Sequence, residues 1–205
     1  MIELIRAGGW MMWPIVLCSL LALAIVLERL WALRREQVLP QALINQLPVL
    51  AETGRSNPRD LAELRAHSPL GHVWAAVVAA YDASDDVRRE RVEEAGRAAA
   101  HGLERYLNTL GTIAAISPLL GLLGTVAGMI QVFTAMTTHG LGDPQALSGG
   151  ISHALLTTAA GLSVAIPALI AFRFLKGRVE ERLLAIEAHT AELIDAQARA
   201  RRELR

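Results

Sequence analysis

Residues 150–171 read GISHALLTTAAGLSVAIPALIA, and His153 is the only ionisable side chain among them. A helix needs about 20 mostly apolar residues to cross a bilayer, so this stretch is long enough for one transmembrane span. A soluble core helix of that length would carry charges along its solvent face. The stretch therefore predicts a membrane protein, and the rest of the chain can be searched for further spans.

Two further apolar stretches accompany it. The first span is predicted over residues 10–27, continuing as a helix past Arg35; the second covers roughly 107–136 and the third roughly 151–175. Backbone groups inside lipid must be paired within the protein, and no barrel pattern is present, so each span should be a helix. The predicted fold class is an all-α integral membrane protein with three transmembrane helices.

Basic residues flank the spans unevenly. They follow the first span, precede the second and follow the third, whereas the loop from Thr137 to Gly150 has no Lys or Arg. The positive-inside rule then places the N-terminus outside, the long middle segment and the C-terminus inside, and a short loop outside.

The chain divides accordingly into four predicted parts. These are an N-terminal span with its juxtamembrane helix (1–35), a cytoplasmic helical region (36–104), a pore-forming pair of spans (105–175) and a cytoplasmic C-terminal helix (176–205).

Helix-start signals divide the cytoplasmic region further. Asn57-Pro58, Ser68-Pro69 and Asp143-Pro144 each pair an N-cap residue with a first-turn proline. A helix beginning near Ser84 should run without interruption into the second span. The third helix should extend well into the cytoplasm, because an amphipathic stripe follows the span at Leu183, Ile186, Leu193 and Ile194.

Small residues recur in the second span. Gly124 and Gly128 form a GxxxG pair, and Gly121 with Thr125 forms a second pair of small residues. Small residues at this spacing let helices approach closely in lipid. We expect a packing role for Gly121, Gly124, Gly128, Gly161, Pro118 and Pro167, and we expect the glycine face of the second span to hold copies of the chain together.

The third span is unusually polar. His153 and Thr157 lie four residues apart on one helix face that continues to Gly161, with Thr158 beside it. A threonine in a membrane helix often only bonds back to its own turn, but several polar groups beside a histidine favour the lining of an ion path. Pro167 removes one backbone hydrogen bond and predicts a kink.

Other function classes are poorly supported. The formal net charge is zero, which gives no reason to expect a nucleic-acid partner. Cys18 stands alone, and no metal-ligand spacing, cofactor motif or catalytic constellation is present, so no metal, cofactor or enzyme activity is predicted. Acids are nearly absent from the spans, which implies that a partner supplies the acid for proton movement.

The stretches SPLLGLLGTVAGM (117–129) and GISHALLTTAAGLSVAIPALIA (150–171) resemble the ExbB/TolQ/MotA family of proton-driven motor subunits. The opening GGWMMWPIVLCSLLALAIVLERLWAL resembles its ExbB branch. The resemblance implies a bacterial inner-membrane pentamer around a pair of single-span ExbD-like partner helices. There a partner aspartate carries the proton, and work passes to a TonB-like protein that drives outer-membrane uptake.

The resemblance also implies residue roles. The pore threonines of the family map onto Thr125 and Thr158, while glutamate is common in the family where this chain has His153. The histidine could titrate or act as a neutral hydrogen-bonding residue, and the cost of a buried charge favours the neutral role. A TolQ-like role in envelope maintenance and a passive scaffold for the partner remain alternatives; membrane lipid could contact the basic C-terminal end.

Overall fold

The computed structural model describes residues 9–52, 57–139 and 144–203, and every regular element in these ranges is an α-helix. The helices are α1 Met12–Ala32, α2 Arg35–Val38, α3 Gln41–Ile44, α4 Leu47–Glu52, α5 Pro58–His67, α6 Pro69–Ala79, α7 Asp85–Leu103, α8 Leu107–His139 and α9 Pro144–Glu203. Three helical stretches, in α1, α8 and α9, are long and apolar enough to cross a membrane. The predicted all-α fold with three spans is confirmed.

The chain forms two compact units. One comprises the described residues of Met1–Glu28 and Tyr106–Phe174, and the other comprises those of Arg29–Arg105 and Leu175–Arg205. The first unit contains the apolar stretches of all three spans, whereas the second contains the short helices α2 to α6 together with α7.

In the first unit, α1 buries one narrow face. Ile15, Cys18 and Ala22 are buried at spacings of three and four residues, so they share one side of the helix. The leucines on its other sides, such as Leu17, Leu20 and Leu23, are exposed. Exposed leucines are what a lipid-facing helix surface requires, and Cys18 lies in the packed face.

The second unit is built around α6. Trp74 and Leu70 in this helix are fully buried, and α6 packs against both α5 and α7. The predicted caps are present, because the Asn57 side chain accepts a hydrogen bond from Arg59 N and Ser68 Oγ accepts one from Gly71 N at 3.0 Å. The cap predicted at Asp143 lies outside the described residues, but α9 does begin at Pro144.

The C-terminal part of α9 buries a seam in which polar and apolar residues alternate. Ile186 and Leu193 of the predicted stripe are buried, and Leu183 and Ile194 flank them as half-buried residues. The seam also buries polar side chains that the stripe did not include: Arg182, Thr190 and Gln197.

Two helix boundaries differ from the prediction. The first helix does not continue past Arg35: it ends at Ala32, and Arg34 adopts an extended conformation before α2. The helix from Ser84 into the second span is also interrupted, because α7 ends at Leu103 and α8 begins at Leu107. Tyr106 has a φ of 64° in this interruption, a left-handed conformation that no helix interior contains.

Candidate ion path in the spanning helices

A close contact joins α8 to α9 inside the first unit. A methyl group added at Gly121 would lie 2.9 Å from Thr157 O and 3.0 Å from Thr158 Cα, and one added at Gly128 would lie 2.9 Å from Gly150 O. One added at Gly161 would lie 2.6 Å from Ser117 O. The separations under 3.0 Å are too short for a real carbon contact, so the glycines permit the approach of the two backbones.

The glycine contacts lie within one chain. Gly121, Gly124 and Gly128 are all buried against α9. The packing role expected of these glycines agrees with the geometry, in which their face lies against the third span of the same chain. A role of this face in holding separate copies together stays a prediction.

Thr157 fills the space that Gly124 leaves. Its side chain is fully buried, and a methyl group at Gly124 would overlap it. Its hydroxyl donates to Ala154 O at 2.9 Å and to His153 O at 3.1 Å, so it is satisfied by its own helix. Thr157 therefore lies in the packed contact between α8 and α9 and not on an open surface of the chain.

Thr158 and Thr125 are more accessible. Thr158 is half-buried, and its hydroxyl donates across the helix contact to Gly121 O at 3.3 Å. Thr125 is half-buried as well and donates to Leu122 O at 2.6 Å in its own helix. A threonine hydroxyl that donates its hydrogen bond to a backbone carbonyl still has lone pairs on its oxygen. These lone pairs can accept a hydrogen bond from another molecule.

His153 packs against the entry of the first span. A methyl group at Gly9 would lie 2.5 Å from Cε1 and 3.1 Å from Nε2 of the imidazole, so the ring rests directly on the Gly9 backbone. The Nε2 atom is buried, and no residue that the structure describes forms a hydrogen bond with it. The sequence analysis did not single out Gly9, although its place just before an apolar run was visible.

The two prolines occupy different surroundings. Next to Pro118, Ser117 is fully buried and donates its hydroxyl to Ile113 O at 2.7 Å. Pro167 is exposed and borders a groove of about 260 Å³ between α1 and α9, which small side chains such as Ser19 and Ser163 also line. Both helices continue through their prolines. Sequence analysis missed Ser117 as a packing residue, because nothing in its spacing indicated that Gly161 would lie against it.

The second and third spanning stretches contain polar side chains but no acidic residues. Between Leu107 and His139, and between Pro144 and Phe172, the sequence has no Asp, Glu, Lys or Arg. Within residues 9–52, 57–139 and 144–203, no group of three or more His, Cys, Asp or Glu could hold a metal ion. The arrangement can accept, donate and orient hydrogen bonds, but these two stretches hold no carboxylate that could carry a proton.

Comparison with known proteins agrees with this architecture. Residues 65–188 match the MotA/TolQ/ExbB proton channel family. The chain is 33% identical over 195 residues to the biopolymer transport protein exbB1 of Vibrio cholerae, which covers 91% of this chain and 83% of that protein. It is 33% identical over 189 residues to the putative biopolymer transport protein ExbB-like 1 of Synechocystis, covering 91% of this chain and 74% of that protein. It is also 40% identical over 93 residues to the Tol-Pal system protein TolQ of Haemophilus influenzae, covering 45% and 39%.

The fold and the site thus define a helical membrane protein with three spans. Its second and third spans meet in a polar contact that contains no acidic residue. The chain belongs to the MotA/TolQ/ExbB proton channel family. Its apolar helices and its relatives make it an inner-membrane protein of the class that energises other proteins.

Proposed function

We propose that this chain is an ExbB-like subunit which, with an ExbD-like single-span partner, couples proton flow to a TonB-like protein and so to uptake across the outer membrane. Similarity to ExbB-named relatives over 91% of the chain supports this assignment. The assembly we propose is a homopentamer in the inner membrane, with the N-terminus in the periplasm and the C-terminus in the cytoplasm.

The observation that carries the proposal is the acid-free but polar surface of the spans. Thr125, Thr158 and His153 offer hydrogen-bonding groups in stretches, residues 107–139 of α8 and 144–172 of α9, that have no Asp or Glu of their own. A charge crossing a bilayer needs polar groups or water along its path. The titrating carboxylate then comes from the partner helix, and the hydroxyls of Thr125 and Thr158 bind it or the water beside it.

The threonines have separate roles in this mechanism. Thr158 and Thr125 are half-buried and line the path, whereas the full burial of Thr157 under Gly124 favours support of the helix contact over direct contact with the proton. His153 acts as a neutral hydrogen-bonding residue at the same path.

A matched pair of substitutions tests this division. Val has the shape of Thr without the hydroxyl, so Thr158→Val and Thr157→Val should both assemble normally, since one lost hydrogen bond costs on the order of 1 kcal/mol. We expect proton uptake into liposomes containing the chain and its partner to fall by about tenfold or more for Thr158→Val, the rate factor that a loss of about 1.4 kcal/mol gives. Thr157→Val should remain close to the parent. Equal flux for the parent and Thr158→Val would instead support the scaffold alternative.

A second pair of substitutions tests the role of His153. Gln keeps a neutral hydrogen-bonding side chain, whereas Leu does not, so His153→Gln should support growth on scarce iron and His153→Leu should not. Growth of His153→Leu at the parental rate would contradict the proposed role of the imidazole.

The TolQ-like alternative rests on the 40% identity to TolQ over 93 residues. Those residues cover less than half of this chain, whereas the ExbB-named relatives cover most of it. Complementation separates the two functions: an ExbB-deficient strain should regain growth on chelated iron, and a TolQ-deficient strain should not regain detergent resistance. The reverse result would assign the TolQ role.

A further inference from the structure

The entry of the first span covers the imidazole of His153. Gly9 has a φ of 61°, and its backbone lies so close to the ring that a methyl group there would come within 2.5 Å of Cε1 and 3.5 Å of Nδ1. All three close approaches at Gly9 are to this one ring. The contact joins Gly9, three residues before α1, to the tenth residue of α9, two parts of the first unit that are far apart in sequence.

Two separate requirements make the residue at position 9 a glycine. The left-handed backbone disfavours most side chains, and the ring leaves no room for a Cβ atom. Asparagine tolerates positive φ far better than other non-glycine residues. Substitution by Asn therefore isolates the second requirement, because it adds a side chain while keeping the backbone conformation accessible.

The neighbouring contacts hold the α9 backbone at the level of the ring. Ala154, the next residue, packs against Gly128 of α8, where a methyl group at Gly128 would lie 3.1 Å from Ala154 Cβ. The α9 backbone is held by α8 at this level, so a clash at Gly9 moves the imidazole and not the helix. A ring forced away from its rotamer also uncovers Nε2, which is now buried.

We propose that Gly9 is a positioning residue for His153: the entry of the first span holds the imidazole in one orientation and shields its Nε2 atom from water. The consequence is that the first span takes part in the proton path by orienting His153. That consequence rests on the proposed channel function, whereas the shielding of the ring does not.

Carbethoxylation by diethyl pyrocarbonate, followed by peptide mass spectrometry, measures the shielding directly on the full chain in its purified assembly. In the parent, His153 should react more slowly than the exposed His67 and His101, which serve as internal standards. In Gly9→Asn the ratio of His153 to His67 modification should rise, because the displaced ring exposes the Nε2 atom that is now buried. The matched control is Gly149→Asn, since a methyl group at Gly149 would meet nothing within 4 Å. An unchanged ratio in Gly9→Asn would overturn the proposal.

A second measurement applies if Gly9→Asn assembles poorly. Removing the ring with His153→Ala removes the obstacle, so Gly9→Asn should lower the thermal midpoint in the parent background and leave it unchanged in the His153→Ala background. Equal losses in both backgrounds would show that the glycine serves only the backbone. If the ring is uncovered in Gly9→Asn but proton flux is normal, the positioning role stands and the proposed channel role of His153 fails.

Discussion

At the residue scale, small side chains determine how closely the second and third spans approach. Gly124 faces Thr157, Gly128 faces Ala154 and Gly161 faces Ser117. The glycine spacing in the sequence predicted close packing, because small residues four apart form a flat helix face. The spacing did not predict which helix would pack there, since any small or hydroxyl-bearing face, in the same chain or in another copy, satisfies the same rule.

Gly124→Ala should therefore destabilise the spanning unit. The added methyl group overlaps Thr157, whose backbone is fixed within α9, and overpacking of this kind typically costs about 1–3 kcal/mol. The thermal midpoint of the purified protein in detergent should fall.

Gly177→Ala is the matched control for Gly124→Ala. Both glycines lie inside helices, but a methyl group at Gly177 meets nothing within 4 Å. This control should gain about 0.5–1 kcal/mol from its better helix propensity. If both variants shift the midpoint equally, Gly124 is not a packing residue.

At the element scale, two buried arginines bond to backbone carbonyls at the ends of other helices. Arg29 donates to Gly102 O and Leu103 O, both at 3.4 Å, at the C-terminus of α7. Arg182 donates to Leu33 O at 3.3 Å, just beyond the end of α1. Carbonyls at a helix C-terminus have no partner within the helix, and a cation there is favoured by the helix dipole. The positive-inside rule used Arg29 and Arg182 only as topological markers, so it could not predict these contacts.

Arg29→Gln should loosen the end of α7. A hydrogen bond to a charged group contributes about 1.5–3 kcal/mol, so backbone amides in residues 95–103 should exchange with deuterium faster in this variant. Arg97→Gln provides the control, because Arg97 pairs with Glu93 on an exposed surface and such pairs contribute little. No change in exchange for Arg29→Gln would show that the α7 terminus does not depend on this arginine.

The buried seam of α9 allows a prediction of a substitution that stabilises the protein. Gln197 is fully buried, and neither its amide nitrogen nor its amide oxygen bonds to any residue in the described ranges. A buried polar group without a partner costs about 1–3 kcal/mol, so Gln197→Leu should raise the thermal midpoint. Leu193→Gln, one helical turn earlier in the same seam, should lower it. A fall in the midpoint for Gln197→Leu would mean that the amide does contribute to folding.

The helix ends themselves were only partly predictable. Pro58 and Pro69 followed their caps as expected, because a cap side chain and a first-turn proline act locally. The interruption between α7 and α8 was not predictable, since it contains neither Gly nor Pro. Tyr106 adopts a positive φ there, and such strain persists only when surrounding structure imposes it.

At the scale of the whole molecule, the number of spans and their order followed from hydropathy alone. Lipid leaves helices as the only solution for isolated apolar stretches, so the class of fold required no tertiary information. The contacts that form the candidate ion path did require it. Nothing in the spacing of Thr157 and Thr158 indicated that the first would be buried under Gly124 and the second would bond to Gly121.

The predicted orientation can be tested by cysteine labelling after Cys18→Ser removes the native thiol. Gly142→Cys, in the loop that lacks Lys and Arg, should react with a membrane-impermeant maleimide from the periplasmic side of intact cells. Glu90→Cys in α7 should react only after the cells are opened. Labelling of Gly142→Cys from the cytoplasmic side alone would reverse the topology.

The absence of acids from the second and third spanning stretches affects how a cell can produce this protein. A channel that held its own proton carrier would begin to discharge the membrane as soon as it was inserted. This chain has no such group between Leu107 and His139 or between Pro144 and Phe172. Under the function proposed above, it can therefore accumulate before its partner is made without acting as an uncoupler, and its overproduction alone should leave the growth yield of the host unchanged.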